Sequence, residues 1–324
     1  MKALEKMPRV VKYDPLLPSA KIFASLKNGA RPKLDTTCDF GGSTWRFRGP
    51  DILGIPEQTL LLALMEMAGS QLAASSTDEQ SWHDLRTGLY DGLRWDGGLP
   101  ATATLQTSYR ELCRCCGLTD DGGSGRSQIK RLLERLCEVT IWCLTAQDEQ
   151  RCSRLLQWRY GNAEGVQVIL NWRLTEALVG VQYSPVNLSE RLALTSDAAR
   201  ALHCALSVRV RPGNSMRFNL EKLGPYIWHE TAVAPATSRR RLQTLRTSLE
   251  SIQGLGTWSV SYINKQPGGA SQVVDIKRAN TSTPALKAHH RRNSPATGQR
   301  SSKCQLTATS APRPNVTDIS GLFK

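Results

Sequence analysis

Leucine and isoleucine recur at three- and four-residue intervals in Ala236 to Ile252, ATSRRRLQTLRTSLESI, at Leu242, Leu245, Leu249 and Ile252. That repeat predicts an α-helix with one buried face. Arg239, Arg240, Arg241, Gln243 and Arg246 stand between the leucines and are expected on the opposite face. Thr237 or Ser238 is expected to cap the helix, because a hydroxyl there accepts a bond from a backbone N–H that the first turn leaves unpaired. Three consecutive arginines in a first turn oppose the helix macrodipole, which favours anions at that end. The conflict is resolved if the N-terminus faces a polyanion. Arg126 to Leu136, RSQIKRLLERL, repeats the design: Ile129, Leu132, Leu133 and Leu136 point inward, and Arg126, Gln128, Lys130, Arg131 and Arg135 point outward.

The pattern elsewhere supplies companions for both helices. Residues 1–32 are basic and broken by prolines, and read as a loose arm leading into a short helix near Lys21 to Lys27. Leu34 to Phe47 alternates around Gly41-Gly42, the signature of a β-hairpin. Glu57 to Ala68 is dense in leucine and methionine at helical spacing, with Gly69 as the expected stop. Residues 70–104 are polar and glycine-rich, with Trp82 and Trp95 as isolated anchors, and read as a long loop. Ser108 to Cys116 opens with a Ser-x-x-Glu capping box and closes at Gly117. The polar turn TDDGGSG then leads into the Arg126 helix, giving the outline of a helix-turn-helix. Val139 to Thr145, Ser153 to Tyr160 and Gly165 to Asn171 read as three strands, the first two forming the wing of a winged helix. Thr175 to Val179 is a short helix, and Gly180 to Pro185 reads as a linker.

The second half repeats this order. Thr195 to Val210 is an amphipathic helix capped by Thr195 or Ser196, and Asn219 to Trp228 is a short one. The arginine helix follows, and then Trp258 to Ile263 and Val273 to Ile276 alternate on either side of Gln266-Pro267-Gly268-Gly269 as a second wing. Recurrence of helix, helix and hairpin predicts an α+β chain of tandem winged-helix domains with β-hairpin wings, an architectural repeat. The expected divisions are an N-terminal arm at 1–32, domain 1 at 33–180, domain 2 at 186–278, and a disordered basic C-terminal tail at 279–324. In the tail seven Lys or Arg stand against one Asp, with almost no aliphatic residues before Ile319. Such a composition buries too little to order itself.

Charge narrows the partners. The 324 residues carry a net charge of +14, so an acidic partner is expected. A membrane is disfavoured, because the longest apolar run, Leu60 to Met65, is six residues, against the ~20 needed to span a bilayer. MKALEKMPRVVKYDP lacks the apolar centre of a secretory signal, and nine cysteines without one fit free thiols in a cytoplasmic protein. Cys113, Cys115 and Cys116 resemble half a metal site but have no second ligand pair, so burial as small apolar side chains is expected and no metal is assigned.

Enzymatic chemistry finds little support. His289-His290 are adjacent and lie in the tail, unlike the paired histidines of a DNA-nicking centre. Gly122-Gly123-Ser124-Gly125-Arg126-Ser127 mimics a phosphate loop but has no lysine before the serine, and reads as a flexible turn. No nucleophile triad, carboxylate pair or cofactor fingerprint is present, so no enzyme activity and no cofactor are expected.

Duplex DNA is the partner that suits both helices. Arg239, Arg240 and Gln243 in one, and Arg126, Gln128, Lys130 and Arg131 in the other, are long side chains near a helix start. Arginine pairs with guanine and glutamine with adenine in the major groove. Arg246 and Arg135 are expected on phosphates, and Arg151, Arg154 and Lys265 on the wings.

Several blocks in collinear order carry a resemblance: KLDTTCDFGG…FRGP at 33–50, MEMAG at 65–69, SYRELCRCCG at 108–117 and GGSGRSQIKRLLERLCEVTI at 122–141. TSDAARALH at 195–203, LGPYIWHE at 223–230 and GLGTWSV at 254–260 continue it. Over about 33–278 the chain resembles the iteron-binding replication initiators of IncQ-type plasmids, the RepC family. Residues 70–104 and the tail depart from that pattern. The resemblance implies binding to direct repeats at a plasmid origin, opening of an adjacent AT-rich segment, and recruitment of a separately encoded replicative helicase and primase. It also implies a protein that can act as a homodimer and is neither an ATPase nor a nuclease. A dimeric winged-helix transcriptional repressor is the alternative on the same fold.

Overall fold

The computed structural model describes residues 9–26, 29, 31–72, 89, 102–145, 150–161, 165–230, 234–263 and 272–280. All belong to the first of two units, Met1–Thr283 and Pro284–Lys324. Trp82, Trp95, Lys265 and the tail beyond Asn280 lie outside the described residues.

The chain opens with β1 (Val10–Tyr13), α1 (Leu16–Ala20) and β2 (Phe23–Ala24). A loose arm is therefore the wrong description of residues 9–26, and the helix lies before Lys21 rather than after it. The reason is apolar: Tyr13, Leu16, Leu17 and Ile22 are fully buried, and β1 pairs antiparallel with β11 (Ser184–Asn187), which begins within the last two residues of the stretch read as a linker. Buried Asp14 accepts from Arg173 at 2.9 Å, fixing the arm to the helix that carries Arg173.

β3 (Leu34–Phe40) and β4 (Ser43–Gly49) form the expected hairpin, with both turn glycines at positive φ, 62° and 80°. After β5 (Leu53–Gly54) comes α2 (Ile55–Leu72), which runs through Gly69 instead of stopping there. Leu60 to Met65 are all fully buried. A helix apolar on every side belongs inside a core, and α2 is the axis of the larger of two cores.

A repeated order of elements organises the rest. First come α2, β6 (Thr104–Thr107), α3 (Tyr109–Cys115), α4 (Gly123–Cys137), β9 (Leu156–Gly161) and β10 (Gly165–Leu170). Then, after α5 (Trp172–Val179) and α6 (Leu188–Ala193), come α7 (Asp197–Arg209), β12 (Ser215–Asn219), a 3₁₀ helix (Glu221–Tyr226), α8 (Pro235–Gln253), β13 (Trp258–Ile263) and β14 (Val273–Arg278). Each set makes a three-stranded antiparallel sheet in which the last strand is central, β6-β10-β9 and β12-β14-β13.

One insertion, between α4 and β9 of the first set, distinguishes the two sets. The hairpin β7 (Thr140–Leu144) and β8 (Gln150–Arg154) extends β3-β4 into a four-stranded sheet, β3-β4-β7-β8. The expected strand Ser153 to Tyr160 is thus two strands serving two sheets, broken at buried Leu155, whose N–H donates to Val139 O. The hairpin after α4 belongs to the four-stranded sheet, and β9-β10 closes the first three-stranded one.

The second core gathers Leu202, Leu206, Leu245, Leu249, Ile252, Trp258, Val274 and Ile276, and it includes Ile55 at the head of α2. Arg191 on α6 ties the two cores together. It is fully buried, donating to Gln58 Oε1 at 2.8 Å, Arg200 O at 2.5 Å and Ile55 O at 3.4 Å.

A second polar tie lies on α7. His203 Nε2 is 2.9 Å from Glu190 Oε2, and Glu190 also accepts from Thr257 Oγ1 and Trp258 Nε1 at 3.0 Å each. Burial works to raise the Glu190 carboxyl, but bonds from His203, Trp258 and Thr257 outweigh it and bring the pKa down to about 2. Burial also holds His203 below its ordinary value of 6.5, against the pull of Glu190. The folded imidazole refuses a proton that the unfolded one accepts, so its contribution is present above pH 6.5 and declines below it. The Glu190 contribution is lost only as pH falls from 4.5 towards about 2. Urea-unfolding free energy is therefore expected to fall between about pH 7 and 5, and the slope to flatten in His203→Gln. An unchanged slope in that variant would contradict the assignment.

Candidate nucleic-acid interface

α4 begins three residues before Arg126, at Gly123, so the glycine run forms the first helical turn rather than a flexible loop. Asp120 organises this start, accepting from Gly122 N at 2.8 Å and Ser124 Oγ at 2.5 Å. Gly125 packs so closely on the turn that an added Cβ would lie 2.1 Å from Asp120 O. Ser108 caps α3 as expected, accepting from Glu111 N. The Glu111 carboxylate bonds Thr107 Oγ1 instead of completing the box.

Ile129, Leu132, Leu133 and Leu136 are buried, and Arg126, Gln128, Lys130 and Arg131 are exposed. Arg126 and Lys130, four apart, share a face, whereas Gln128 lies on the flank of Arg135. Lys130 is 3.9 Å from Glu134, and Arg131 Nε donates to Ser127 O at 3.4 Å. Arg126 has different neighbours: its guanidinium carbon lies 5.0 Å from the Tyr109 ring centre and 4.9 Å from that of Tyr160.

Arg135 turns inward, 2.9 Å from Glu57 Oε1. Glu57, at the start of α2, has a side chain with no exposure and also pairs with Arg31 at 2.9 Å. Arg154 donates to Cys137 O at 3.4 Å, and Arg151 stands exposed on the same strand, β8. Both lie in the hairpin directly after α4, as expected, but that hairpin extends the four-stranded sheet.

α8 starts at Pro235, with Ala234 as its cap residue and no side-chain cap, so neither Thr237 nor Ser238 caps it. Proline at the first helical position fixes φ and spares one unpaired N–H, and the cap lies three residues before Thr237. Thr237 is half-buried and Ser238 exposed, both on the first turns.

Arg239, Arg240 and Gln243 are exposed on one face, opposite buried Leu245, Leu249 and Ile252. Among the described residues neither Arg239 nor Arg240 has an ion pair. Arg241 departs from the expected outward face: it donates to Glu230 O at 2.7 Å and Glu230 Oε2 at 3.2 Å, and lies 5.0 Å over the Trp228 ring. Two residues past Arg239, it falls on the flank of the buried stripe, where Trp228 supports it. Arg246 donates from Nη2 to Gln272 Oε1 at 3.1 Å, linking α8 to the strand β14 that Gln272 precedes.

The family model described as Replication protein C (RepC) matches residues 10–267. The chain belongs to the RepC family. Its matched range starts at β1, earlier than the resemblance, and spans residues 70–104. Among solved structures the RepC chain is similar to domains 2 and 3 of RctB, in a selenomethionine derivative. The TM-score is 0.50 with 14% identity, covering 82% of this chain and 98% of that one. A second structure of RctB domains 2-3 gives 0.49 and 13%, covering 83% and 98%. No curated protein matches the chain. The first likeness shows a mixed α+β fold.

Other features of this RepC chain follow from burial. Among the described residues no group of three His, Cys, Asp or Glu is placed to hold a metal, and no helix is long and apolar enough to cross a membrane. Cys113 and Cys116 are buried, and burial pushes the Cys116 thiol up to about 12. Glu57, Trp228, Glu230, Tyr109 and Tyr160 were not singled out as site residues. Each acts on an arginine remote in sequence, and spacing carries no signal of that.

Arg135→Ala is expected to lower unfolding free energy by about 1–2 kcal/mol, because the buried Glu57 loses a charged donor. Lys130→Ala, at an exposed pair, is expected to cost less than about 0.5 kcal/mol. Urea denaturation of both variants checks this, and equal costs would contradict the placement of Arg135.

Proposed function

We propose that this RepC protein is a plasmid replication initiator that binds direct repeats at its origin through two winged-helix domains. The observation that carries the reading is the duplicated element order, with a cationic helix at the same place in each copy. In this reading the domains occupy 33–180 and 186–278, with β9-β10 and β13-β14 as wings. The arm is the exception to the expected division, because β1 is paired with β11.

α4 and α8 stand where a recognition helix stands in such folds. Arg239, Arg240 and Gln243 from α8, and Arg126, Lys130 and Arg131 from α4, are the side chains assigned to base edges, with Gln128 at the flank. Arginine offers a planar pair of donors that matches guanine. Thr237, Ser238, Arg246 and Lys265 are assigned to phosphates, which set register. Arg241 and Arg135 are assigned to holding the helices in place.

Initiation then follows from strain. Protomers on adjacent repeats bend the duplex, and the AT-rich neighbour yields because its steps are easier to deform. A helicase and primase encoded elsewhere would enter there, with the chain itself performing no catalysis. The net charge of +14 supports a polyanionic partner.

Footprinting on the origin of the plasmid that encodes the chain is expected to show protection recurring at ~20 bp intervals, roughly two duplex turns. Arg240→Ala is expected to weaken binding to that duplex by about 1–3 kcal/mol. Unchanged affinity in a titration removes Arg240 from the reading face, and absence of any recurrent footprint removes the function.

A further inference from the structure

Arg126 differs from four nearby cations. Arg110 pairs with Asp121 at 3.2 Å, Lys130 with Glu134, Arg131 with a carbonyl, and Arg135 with Glu57. Among the described residues the Arg126 side chain has no hydrogen bond and no ion pair. Its neighbours are two rings, and the guanidinium and ring centres form a near-equilateral triangle with sides of 5.3, 5.0 and 4.9 Å. Aromatic rings attract a guanidinium without consuming its N–H donors. The side chain is therefore held in place with all five donors unspent.

Each corner of the triangle is pinned. Tyr109 is the first residue of α3, behind the Ser108 cap, and is 8% exposed. Tyr160 stands on β9 opposite Val166 of β10 and is 42% exposed. The β9-β10 hairpin is itself held close, because a Cβ on Gly165 would lie 2.5 Å from Thr107 O. Arg126 follows Gly125, the residue packed against Asp120 O. Three elements far apart in sequence converge on one guanidinium.

We propose that Arg126 reads a guanine edge in the major groove and that Tyr109 and Tyr160 are positioning residues that hold it for that contact. The inference rests on the DNA-binding reading of α4. Guanine is the base whose N7 and O6 accept two parallel bonds from one guanidinium. A phosphate would also accept them, and the two targets differ in how they respond to sequence and salt. A guanidinium held in place by rings loses less freedom on binding than a mobile one, which suits a directional base contact.

The test uses the full chain and the duplex it selects most strongly from a random-sequence library. Binding is measured for that duplex, for a scrambled one, and for versions with single guanines replaced by 7-deazaguanine, which lacks the N7 acceptor. Arg126→Lys is expected to lose roughly tenfold or more on the selected duplex and little on the scrambled one. One 7-deazaguanine position is expected to weaken the parent protein and to leave Arg126→Ala, which has no donor there, unaffected. Tyr160→Ala is expected to lose several-fold at that same position with an unchanged salt slope, and Tyr160→Phe, which keeps the ring, to recover most of it. An equal loss on both duplexes with a shallower salt slope would make Arg126 a phosphate contact and overturn the proposal. So would the absence of any guanine position coupled to Arg126. Failure of the selection to enrich any sequence would instead overturn the DNA-reading function itself. Thermal melting of each variant separates loss of contact from loss of fold.

Discussion

A buried carboxylate determines which way α4 faces. Glu57 has no exposure and is answered by Arg31, Arg135 and the N–H of Gly54, each at 2.9 Å. Leaving such a group unpaired would cost several kcal/mol, so Arg135 is committed inward. With that side chain fixed to α2 and the leucine stripe buried, Arg126, Lys130 and Arg131 have only the outward side. The α8 counterpart is Arg241, held by Glu230 and Trp228 while Arg239 and Arg240 point away. In both helices some arginines are consumed in setting orientation, and the remainder are left for a partner.

Much of this was legible in the chain and some was not, for identifiable reasons. The leucine spacing of 129–136 and 242–252 placed both helices, because burial repeats every three to four residues regardless of context. Ser108 and Ser196 announced their caps through local chemistry alone, and Gly41-Gly42 announced its turn through positive φ. By contrast β6, β11 and β12 are four- or five-residue strands whose pairing partners lie far along the chain. Consecutive Leu155 and Leu156 broke the alternation expected of one strand and marked the switch between sheets. The apolar residues of 10–22 were obscured by prolines and charges, although their burial ties the arm to β11.

Within the interface the limit was sharper. Sequence placed the arginines on the correct helices but set all of them on the outward face. Arg135, Arg241 and Arg246 meet Glu57, Glu230 and Gln272, at separations of 78, 11 and 26 residues. The tyrosine pair beneath Arg126 joins residues from α3 and β9 across the inserted hairpin. Such pairings depend on the topology, and only a duplicated fold with a known sheet order brings them into view.

The duplication carries the central claim, that one chain reads two places on a single duplex. Arg191 binds the two sets of elements through buried polar contacts to Ile55 and Gln58 on one side and Arg200 on the other, which favours a fixed separation between α4 and α8 over independent motion. Methylation interference on a single repeat tests this most directly, since a methyl group on guanine N7 blocks the major groove alone. The account predicts interference in two successive major grooves about one duplex turn apart, on one face of the helix. Interference confined to one groove, or spread evenly around the duplex, would contradict it.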